Sequence, residues 1–482
     1  VISGGTGIRH SEGLIINNTI QSTSYGIYSV NSENYRIENN TINADNYGIY
    51  QTNVADGIIH NNSIESAAEA DIICIGFDNL NISSNTMDQR GLVLIGGTVR
   101  AKRAEISSDN IVRGKNIIVY DDESDITIDG DVGTFDNQII VFDCENVLLQ
   151  NLELFDYGSA VSIFNSRSVE VENTNLTTTG LCGLTASNVN NSIFRNNVIN
   201  NASDAFRINF AYGLVLSHNN MSSAQTGMKV YNAYDIEISN NSFKHGSDGV
   251  DLEQDENNLI YDVSDIIISL NPVVNISENH FQNSGDDCIK LVNTEKALIT
   301  TNMMVKIENG IFLDNSRNTK ISRNRIQIGV EGIRFEECVG ILVKQNSIFN
   351  CSDFGVRVDG LENSTIISND IVLGEYGIFI DDYYTNNLTI QANSILNTTV
   401  RGMQLIEINN STITNNIINT SVSGIYMEAA ENVAITNNIL QNCSGIALEI
   451  STDVSFTNIT LNQFINNSIH AHDDSGIAWA VN

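Results

Sequence analysis

The sequence has almost no proline, few cations and no long hydrophobic run. One proline, Pro272, occurs in 482 residues. Because proline cannot donate to a backbone ladder, its scarcity favours a chain that is mostly strand. No run approaches the roughly 18 apolar residues of a membrane-spanning helix, and no basic segment leads into an apolar one at the start. The sequence therefore predicts no membrane span, and its first residues already follow the pattern described below.

The shortage of cations excludes one class of partner. Lys and Arg number 24 against 58 Asp and Glu, which leaves a formal net charge of −34. Because phosphate binding needs a basic surface, nucleic acid is not expected as a partner. An acidic exterior keeps large assemblies soluble and attracts divalent cations. Three acidic pairs are candidates for Ca²⁺, although they lack EF-hand spacing and are typical of solvated turns: Asp121-Asp122, Asp381-Asp382 and Asp473-Asp474. No other cofactor is expected.

The cysteines give no sign of a metal or redox centre. The seven are Cys74, Cys144, Cys182, Cys288, Cys338, Cys351 and Cys443. None has the close spacing of a metal knuckle or a redox pair, and most lie in apolar phrases, where cysteine behaves as a small buried hydrophobe. Apart from the Ca²⁺ candidates above, the sequence predicts no metal site, and it predicts no specific disulfide.

A phrase that returns about every 22 residues, a period typical of solenoids, dominates the chain. It is clearest over Gly26–Ile42, where Gly-Ile-Tyr-Ser-Val leads to Tyr-Arg-Ile-Glu-Asn-Asn-Thr-Ile, and it recurs from Gly310 and Gly424. Apolar residues alternate within it, as at Ile311 and Leu313, which indicates short strands with one buried face. Because so short a unit cannot bury that face alone, each unit must stack on its neighbours.

One asparagine recurs at the same place in successive units. Its positions are Asn18, Asn40, Asn62, Asn85, Asn110, Asn197, Asn219, Asn241, Asn302, Asn324, Asn346, Asn369, Asn393, Asn416, Asn438 and Asn462. Stacked at the strand spacing of about 4.8 Å, these amides could donate to one another in an interior ladder. The sequence predicts an all-β chain: one parallel β-helix domain (β-solenoid) over residues 1–482, of about 20 coils, with an internal asparagine ladder.

These phrases resemble those of the right-handed parallel β-helices of the pectin-lyase-like superfamily. The resemblance covers essentially the whole chain and implies the right-handed sense of the coil. It leaves function open, because the superfamily contains lyases, hydrolases, epimerases, adhesins, phage tailspikes and surface proteins. The repeats are also similar to those of periplasmic β-helix proteins of copper processing, a role that the sparse Met and His residues support little.

The regular spacing of the repeat is interrupted in two stretches. Between residues 111 and 150 the asparagine spacing nearly doubles, and we expect an irregular coil in which Asp129 replaces the ladder asparagine. Around residues 252–275 about 16 extra residues indicate a loop insertion on one face of the stack. Insertions are where β-helices usually carry function.

The residues that flank this insertion resemble motifs of polygalacturonases, glycoside hydrolases on the same fold. Ser247–Asp251 and Gly285–Ile289 look like the Asn-Thr-Asp-Gly and Gly-Asp-Asp-Cys-Ile motifs of that family. The resemblance implies that Asp248, Asp286 and Asp287 are the catalytic carboxylates. Carboxylates one strand apart cannot all ionise freely, so one could act as general acid while another activates water.

The rest of the polygalacturonase pattern is incomplete. Asn309 stands where that family has a histidine, and Arg334 keeps the expected arginine. Glu336 stands where a lysine would hold a uronate carboxylate. Gly-Asp phrases also arise in ordinary turns.

A second candidate site is the outward residue after each Ile of the Gly-Ile strands. This stripe consists of Tyr28, Tyr50, Asp251, Lys290, Phe312, Arg334, Arg357, Phe379, Gln404 and Tyr426. Aromatic rings interleaved with polar groups could stack on sugar rings and bond their hydroxyls. We expect Lys290, Phe312, Arg357, Phe379 and Tyr426, with Arg334 and Asn309, to bind substrate. Aromatic residues are also favoured on any exposed sheet, which is the structural alternative.

Asn-x-Ser/Thr sequons occur in many coils. In units reading Asn-Asn-x-Ile the second asparagine should be buried in the ladder and the first exposed. Asn39, Asn61 and Asn240 are therefore the expected glycosylation sites of an exported protein. The coil consensus also creates such sequons automatically.

These features favour an extracellular structural or adhesive β-solenoid of a cell-surface layer, sheath or fibre, with glycan binding on its stripe. The alternative is a polysaccharide-acting glycoside hydrolase of polygalacturonase type, and the sequence does not decide whether the chain is an enzyme. Neither end has an amphipathic cap helix, so we expect either that the sequence is part of a longer chain or that its ends are covered, by self-association or by other cell-envelope proteins. A polysaccharide is the other expected partner.

Overall fold

The computed structural model describes residues 2–10, 12–65, 67–96, 103–133, 136–177, 180–222, 225–244, 248–253, 274–381, 385–420 and 422–475. Every regular element in these ranges is a strand, and the fold is an all-β right-handed parallel β-solenoid of about 19 turns. No helix in the described ranges is long and apolar enough to cross a membrane. The predicted fold class is confirmed.

The chain divides into two compact units, residues Val1–Glu237 and Ile238–Asn482. The strands that begin in the first unit are β1 (Ile2–His10), β2 (Gly13–Ile16), β3 (Thr19–Val30), β4 (Tyr35–Glu38), β5 (Thr41–Ala44), β6 (Tyr47–His60), β7 (Ser63–Glu65), β8 (Ala70–Ser83), β9 (Thr86–Met87), β10 (Leu92–Ile95), β11 (Ala104–Ile106), β12 (Ile111–Val112), β13 (Lys115–Asn116), β14 (Ile118–Asp121), β15 (Ser124–Asp129), β16 (Ile139–Phe142), β17 (Glu145–Gln150), β18 (Glu153–Phe155), β19 (Ser159–Phe164), β20 (Arg167–Glu172), β21 (Asn175–Thr177), β22 (Cys182–Asn190), β23 (Ile193–Arg195), β24 (Val198–Asn200), β25 (Asp204–Ser217), β26 (Asn220–Ser222) and β27 (Thr226–Ser239).

The strands of the second unit are β28 (Ser242–Lys244), β29 (Asp248–Glu253), β30 (Val274–Ser277), β31 (His280–Gln282), β32 (Asp287–Val292), β33 (Ala297–Thr300), β34 (Met303–Val305), β35 (Asn309–Asp314), β36 (Lys320–Ser322), β37 (Arg325–Val339), β38 (Leu342–Lys344), β39 (Ser347–Glu362), β40 (Thr365–Ile367), β41 (Asp370–Asp381), β42 (Thr389–Gln391), β43 (Ser394–Ile406), β44 (Thr412–Thr414), β45 (Ile417–Asn419), β46 (Ser423–Glu428), β47 (Ala434–Thr436), β48 (Ile439–Gln441), β49 (Ile446–Ile450), β50 (Asn458–Thr460), β51 (Gln463–Ile465) and β52 (Ile469–Asp473).

The Gly-Ile phrase is explained by how closely the coils approach one another. In the second unit, Ile311 of one coil lies directly over Ile333 of the next, and both are buried. A Cβ at Gly332 would stand 2.4 Å from the carbonyl oxygen of Gly355 and 2.6 Å from a methyl of Ile348. Only glycine fits at this position of the strand, and the isoleucine after it fills the core of its own coil.

The asparagine ladder is present in both units. Each Asn Nδ2 donates to the Oδ1 of the asparagine in the next coil at 2.9–3.0 Å, from Asn18 to Asn110 and from Asn241 to Asn462. The same Oδ1 also accepts the backbone N–H of the preceding ladder residue, as Asn62 does from Asn40 at 3.0 Å. Buried amides are costly only when unpaired, so the ladder satisfies itself.

The left-handed backbone of this turn belongs to the residue before the ladder asparagine. Asn39, Asn61 and Asn415 have φ of 56°, 52° and 57°. Asparagine tolerates this conformation better than most residues. The Asn-Asn doublet therefore combines two tasks: the first residue makes the turn at the surface, and the second makes the ladder inside.

The first unit contains two stacks that meet at the irregular region. Strands β1–β13 form one sheet system, which ends in the antiparallel pair β12 and β13, and β14 opens the next. Strand β10 packs against β19 and β22 of the second stack. An apolar cluster of Ala70, Ile73, Val93, Ile95 and Cys182 fills the contact. As a result β16 and β19 are buried on both faces.

A glutamine side chain joins the two stacks. Gln138 Oε1 accepts the N–H of Leu92 at 3.0 Å, and its Nε2 donates to the carbonyl of Ser159 at 2.7 Å. Asp129 does not take the ladder position that the sequence suggested. It is half-buried at the end of β15, where it accepts from Gln150 at 2.7 Å and Asn151 at 3.0 Å. The ladder resumes only in later coils.

The loop insertion around residues 252–275 lies outside the described residues except at its two ends. The expectation of one domain over residues 1–482 stays a prediction. The sequons show the predicted difference in exposure. Asn39, Asn61 and Asn240 are exposed, whereas the asparagines that follow them are buried.

Candidate functional site

Apart from Asn309, the predicted substrate-binding residues lie in one row across the second unit. Successive parallel strands place these residues directly over one another, in the order Lys290, Phe312, Arg334, Arg357, Phe379, Gln404 and Tyr426. We call them the central row. Except for Gln404, which is buried, their side chains are half-exposed.

A second row runs beside it, three residues earlier on each strand. This leading row consists of Asp287, Asn309, Glu331, Phe354, Tyr376 and Arg401. Sequence reasoning found its first two members through the polygalacturonase resemblance and missed the others. The missed residues share one feature that could have identified them: each directly precedes the glycine of its repeat. We call the central and leading rows, with the carboxylates at Asp314, Glu336, Asp359 and Glu428, the mixed face.

Arg357 is held by carboxylates from two directions. Its Nη1 lies 3.0 Å from Glu331 Oε1, and its Nε lies 3.0 Å from Asp359 Oδ2. Its guanidinium also lies 5.6 Å from the centre of the Phe354 ring. Burial by itself lowers the pKa of Arg357, but the hydrogen bond to Glu331 and the charge of Asp359 outweigh it and raise that pKa.

Arg334 is neutralised in the same way on the neighbouring coil. It forms an ion pair with Glu336, its Nε lies 3.7 Å from Asp359 Oδ2, and its guanidinium lies 5.1 Å from the centre of the Phe312 ring. Both arginines are about one third exposed, at 33% and 30%. The guanidinium charges of Arg334 and Arg357 are therefore already paired.

Three aromatic side chains form a group next to the paired arginines. The ring centres of Phe354 and Phe379 lie 4.6 Å apart, those of Tyr376 and Phe379 lie 5.0 Å apart, and those of Phe354 and Tyr376 lie 5.5 Å apart. All three rings are half-exposed. Such rings pack on apolar ligand faces, including the C–H faces of sugar rings.

The mixed face continues beyond this aromatic group. The Arg401 guanidinium lies 3.8 Å from the centre of the Tyr426 ring, and the Tyr426 hydroxyl donates to Glu428 at 2.5 Å. Burial and the hydrogen bond to Glu428 raise the pKa of Tyr426. Aromatic rings, cations and carboxylates thus alternate over several coils.

The predicted catalytic carboxylates are only partly brought together. Asp287 is 9% exposed, begins β32 and lies directly beside Asn309 of the next coil. Asp286 is exposed in the preceding turn. Asp251 pairs with Lys290 in the register of β29 and β32, so Asp248 and Asp287 hold matching positions in that register. The side chain of Asp248 lies outside the described residues, and the catalytic assignment stays a prediction.

The first unit carries an aromatic group of its own. The rings of Tyr25 and Tyr47 stack at 5.2 Å, and those of Tyr28 and Tyr50 stack at 5.4 Å. The two pairs meet edge to face, with 5.0 Å between Tyr25 and Tyr28. Tyr47 and Tyr50 also pack against the apolar cluster between the two stacks. These tyrosines therefore help to hold the stacks together.

Comparison with known families assigns the chain. The profile of a family described as "Periplasmic copper-binding protein (NosD)" matches residues 95–264 and 299–482, which is well over half of the sequence. The chain belongs to the NosD family. A profile described as "Right handed beta helix region" matches residues 4–134. No curated protein matches this member of the NosD family.

Several solved structures are similar to this NosD-family chain. A variant of the periplasmic alginate epimerase AlgG is 13% identical, with 67% of this chain and 77% of that chain covered and a TM-score of 0.37. PfbA, a surface adhesin of Streptococcus pneumoniae, is 12% identical, with 79% and 84% covered and a TM-score of 0.28. Tailspike protein 3 of bacteriophage CBA120 is 12% identical, with 96% and 57% covered and a TM-score of 0.28. None of these values assigns a function to the chain.

The described residues do not fit the copper site that the NosD description implies. All seven cysteines are buried, and burial raises the pKa of Cys338 and Cys351 to about 12, which disfavours the thiolate that a metal needs. His280 and Met303 are neighbours in register, but they are a pair and not a ligand set. Within the described ranges, no group of three or more His, Cys, Asp or Glu is arranged to hold a metal ion. Calcium binding by the acidic turns stays a prediction.

Proposed function

We propose that this NosD-family chain is an exported adhesive β-helix that binds a polysaccharide along the mixed face. The observation that carries the proposal is the half-exposed group of Phe354, Tyr376 and Phe379 beside the paired arginines. Aromatic rings supply stacking surface, and the carboxylates next to them accept hydrogen bonds from hydroxyl groups. A rigid row of strands also suits an extended ligand that runs from coil to coil.

We place the protein outside the cytoplasm, in the periplasm or at the cell surface. The periplasmic description of its family and its many surface asparagine sequons support this location. Self-association and contact with envelope proteins belong to the same proposal. Sedimentation of the purified chain over a range of concentrations would test self-association directly.

Alanine variants of the aromatic group test the binding role. The full chain would be applied to an array of bacterial and plant oligosaccharides, and Phe379→Ala is expected to weaken binding about tenfold or more, because one stacked ring contributes on the order of 1 kcal/mol beyond its buried area. Phe349→Ala is the matched control, since this half-exposed phenylalanine lies on another part of β39 with Arg325 at 5.9 Å from its ring. Equal loss in both variants, or no loss in either, would contradict the proposal.

A polysaccharide-acting hydrolase is the second candidate. The nearly buried Asp287 beside Asn309, at one end of the mixed face, favours it. Release of reducing ends from polygalacturonate by the wild type, lost in Asp287→Asn, would establish this activity. Binding without release in both proteins would leave the adhesive role alone.

A further inference from the structure

We propose that the middle of the mixed face, from Phe312 to Phe379, selects neutral glycans and rejects polyuronates, and that Glu336 and Asp359 set this selection. The inference rests on the proposed glycan-binding role and adds the chemical class of the ligand. It concerns only residues of the second unit.

A uronate carboxylate needs an unpaired cation, and the two central arginines do not offer one. Arg334 is paired with Glu336 and has Asp359 at 3.7 Å, while Arg357 is paired with both Glu331 and Asp359 at 3.0 Å. Three carboxylates thus face two guanidinium groups. The local charge is negative before any ligand arrives, and the protein as a whole has a net charge of −34. A polyanion is repelled by both.

Exchange of one carboxylate for another is also unfavourable. A uronate carboxylate that formed an ion pair with Arg357 would have to displace Glu331, which is only 8% exposed. The displaced carboxylate would remain enclosed without its partner, and an unpaired buried charge costs far more than a surface ion pair gains. The arginines therefore hold the carboxylates of the protein in place and do not bind a carboxylate of the ligand.

A neutral sugar is not repelled by the negative charge and does not have to displace a buried carboxylate. Its hydroxyl groups can donate to the outer oxygens of Glu336 and Asp359, whose side chains are 33% and 21% exposed, without breaking the ion pairs. Its C–H face can lie on the ring of Phe379 or Phe312, both half-exposed in the central row. Hydrogen bonds to charged acceptors are stronger than those between neutral groups. This arrangement therefore favours binding of ligand hydroxyl groups and disfavours binding of ligand carboxylates.

The experiment compares matched oligosaccharides on the full chain. Hexamers of glucose, galactose and mannose would be titrated in parallel with hexamers of the corresponding uronic acids, with wild type, Glu336→Gln and the double variant Glu336→Gln, Asp359→Asn. The wild type is expected to bind at least one neutral hexamer and no uronate. The variants free the guanidinium of Arg334, so uronate binding should rise by about tenfold or more, in a salt-sensitive manner.

Two controls separate failure of this inference from failure of the binding role. Glu362→Gln removes the same charge from an exposed position outside the mixed face and should leave the preference unchanged. Phe379→Ala should weaken the neutral ligand in every background. If wild type binds uronates more tightly than neutral hexamers, the selectivity is refuted while glycan binding stands. If neither wild type nor variants bind any hexamer, both the selectivity and the proposed function are refuted.

Discussion

Replacement of one ladder asparagine by alanine should strongly lower the free energy of unfolding of the second unit, although only one side chain changes. Asn346 is 1% exposed. Its Nδ2 donates to Asn369 Oδ1 and to the carbonyl of Ile321, both at 3.0 Å. Its Oδ1 accepts the backbone N–H of Asn324 at 2.9 Å and the Nδ2 of Asn324 at 3.0 Å. Substitution by alanine removes all four bonds at once.

The magnitude follows from the groups that are left behind. In Asn346→Ala, the backbone N–H and one side-chain N–H of Asn324 and the carbonyl of Ile321 lose this partner inside the stack. Asn369 Oδ1 keeps one partner, because it still accepts the backbone N–H of residue 346 at 2.9 Å. A buried polar group without a partner costs about 1–3 kcal/mol, so the loss for these three groups is at least about 3 kcal/mol. That is a large share of the roughly 5–15 kcal/mol that stabilises a whole domain. Because stacked repeats couple mainly to their neighbours, the flanking coils should open first.

Hydrogen exchange measures this local opening. The amide of Asn324, protected by Asn346 in the wild type, should exchange on the order of a hundredfold faster in Asn346→Ala, since each 1.4 kcal/mol is tenfold. Asn462→Ala should have a smaller effect, because Asn462 is only partly buried and makes three such bonds. Lys344→Ala, on the outer side of the same coil, is the control. If Asn346→Ala and Lys344→Ala exchange alike, the ladder does not stabilise the stack as argued.

Three further predictions concern buried groups. Burial raises the pKa of Asp71, whose Oδ2 accepts the N–H groups of Arg90 and Gly91 at 2.6 Å, to about 6 from the ordinary 3.8. The wild type should therefore lose on the order of 3 kcal/mol of stability as pH rises from about 4 to above 6, and Asp71→Asn should lack this slope in denaturant titrations at several pH values. Gly355→Ala should lower the thermal midpoint by several degrees, because its Cβ would lie 2.4 Å from Ile371. The cysteines should resist alkylation until the chain unfolds, as intact-mass measurements would show, because all seven are buried.

The repeat and the ladder were predictable because each coil encodes its own pairing. Alternation at Ile311 and Leu313 predicts a strand with one buried face, and the parallel register with the next coil confirms it. The exposed and buried members of the Asn39-Asn40 doublet were also separated correctly. What the pattern left out was the turn itself, since the left-handed residue is Asn39 and not the ladder asparagine.

The candidate site was predicted in part. The central row follows from counting two residues past the glycine of each repeat, and Phe312, Arg334 and Arg357 lie in that row. The leading row was missed beyond Asn309, because Glu331 and its successors share a position but not a residue type. Ion pairing could not be predicted either, since a carboxylate such as Asp359 contacts arginines of its own and the preceding coil through side-chain conformations that periodicity does not reveal.

The sequence alone determined the coil, its inner face and the ladder, because these depend on contacts between equivalent positions of successive repeats, and the repeat is visible in the residues. Only the tertiary structure decided which outer faces are covered and which charges are neutralised. Strand β10 packs against β19, and the side chain of Gln138 bonds the backbone of Leu92 in β10, a residue far away in sequence. On the mixed face, the pairing of Arg334 and Arg357 with carboxylates leaves surface for neutral ligands. Such contacts join non-equivalent positions, and no repeat pattern specifies them.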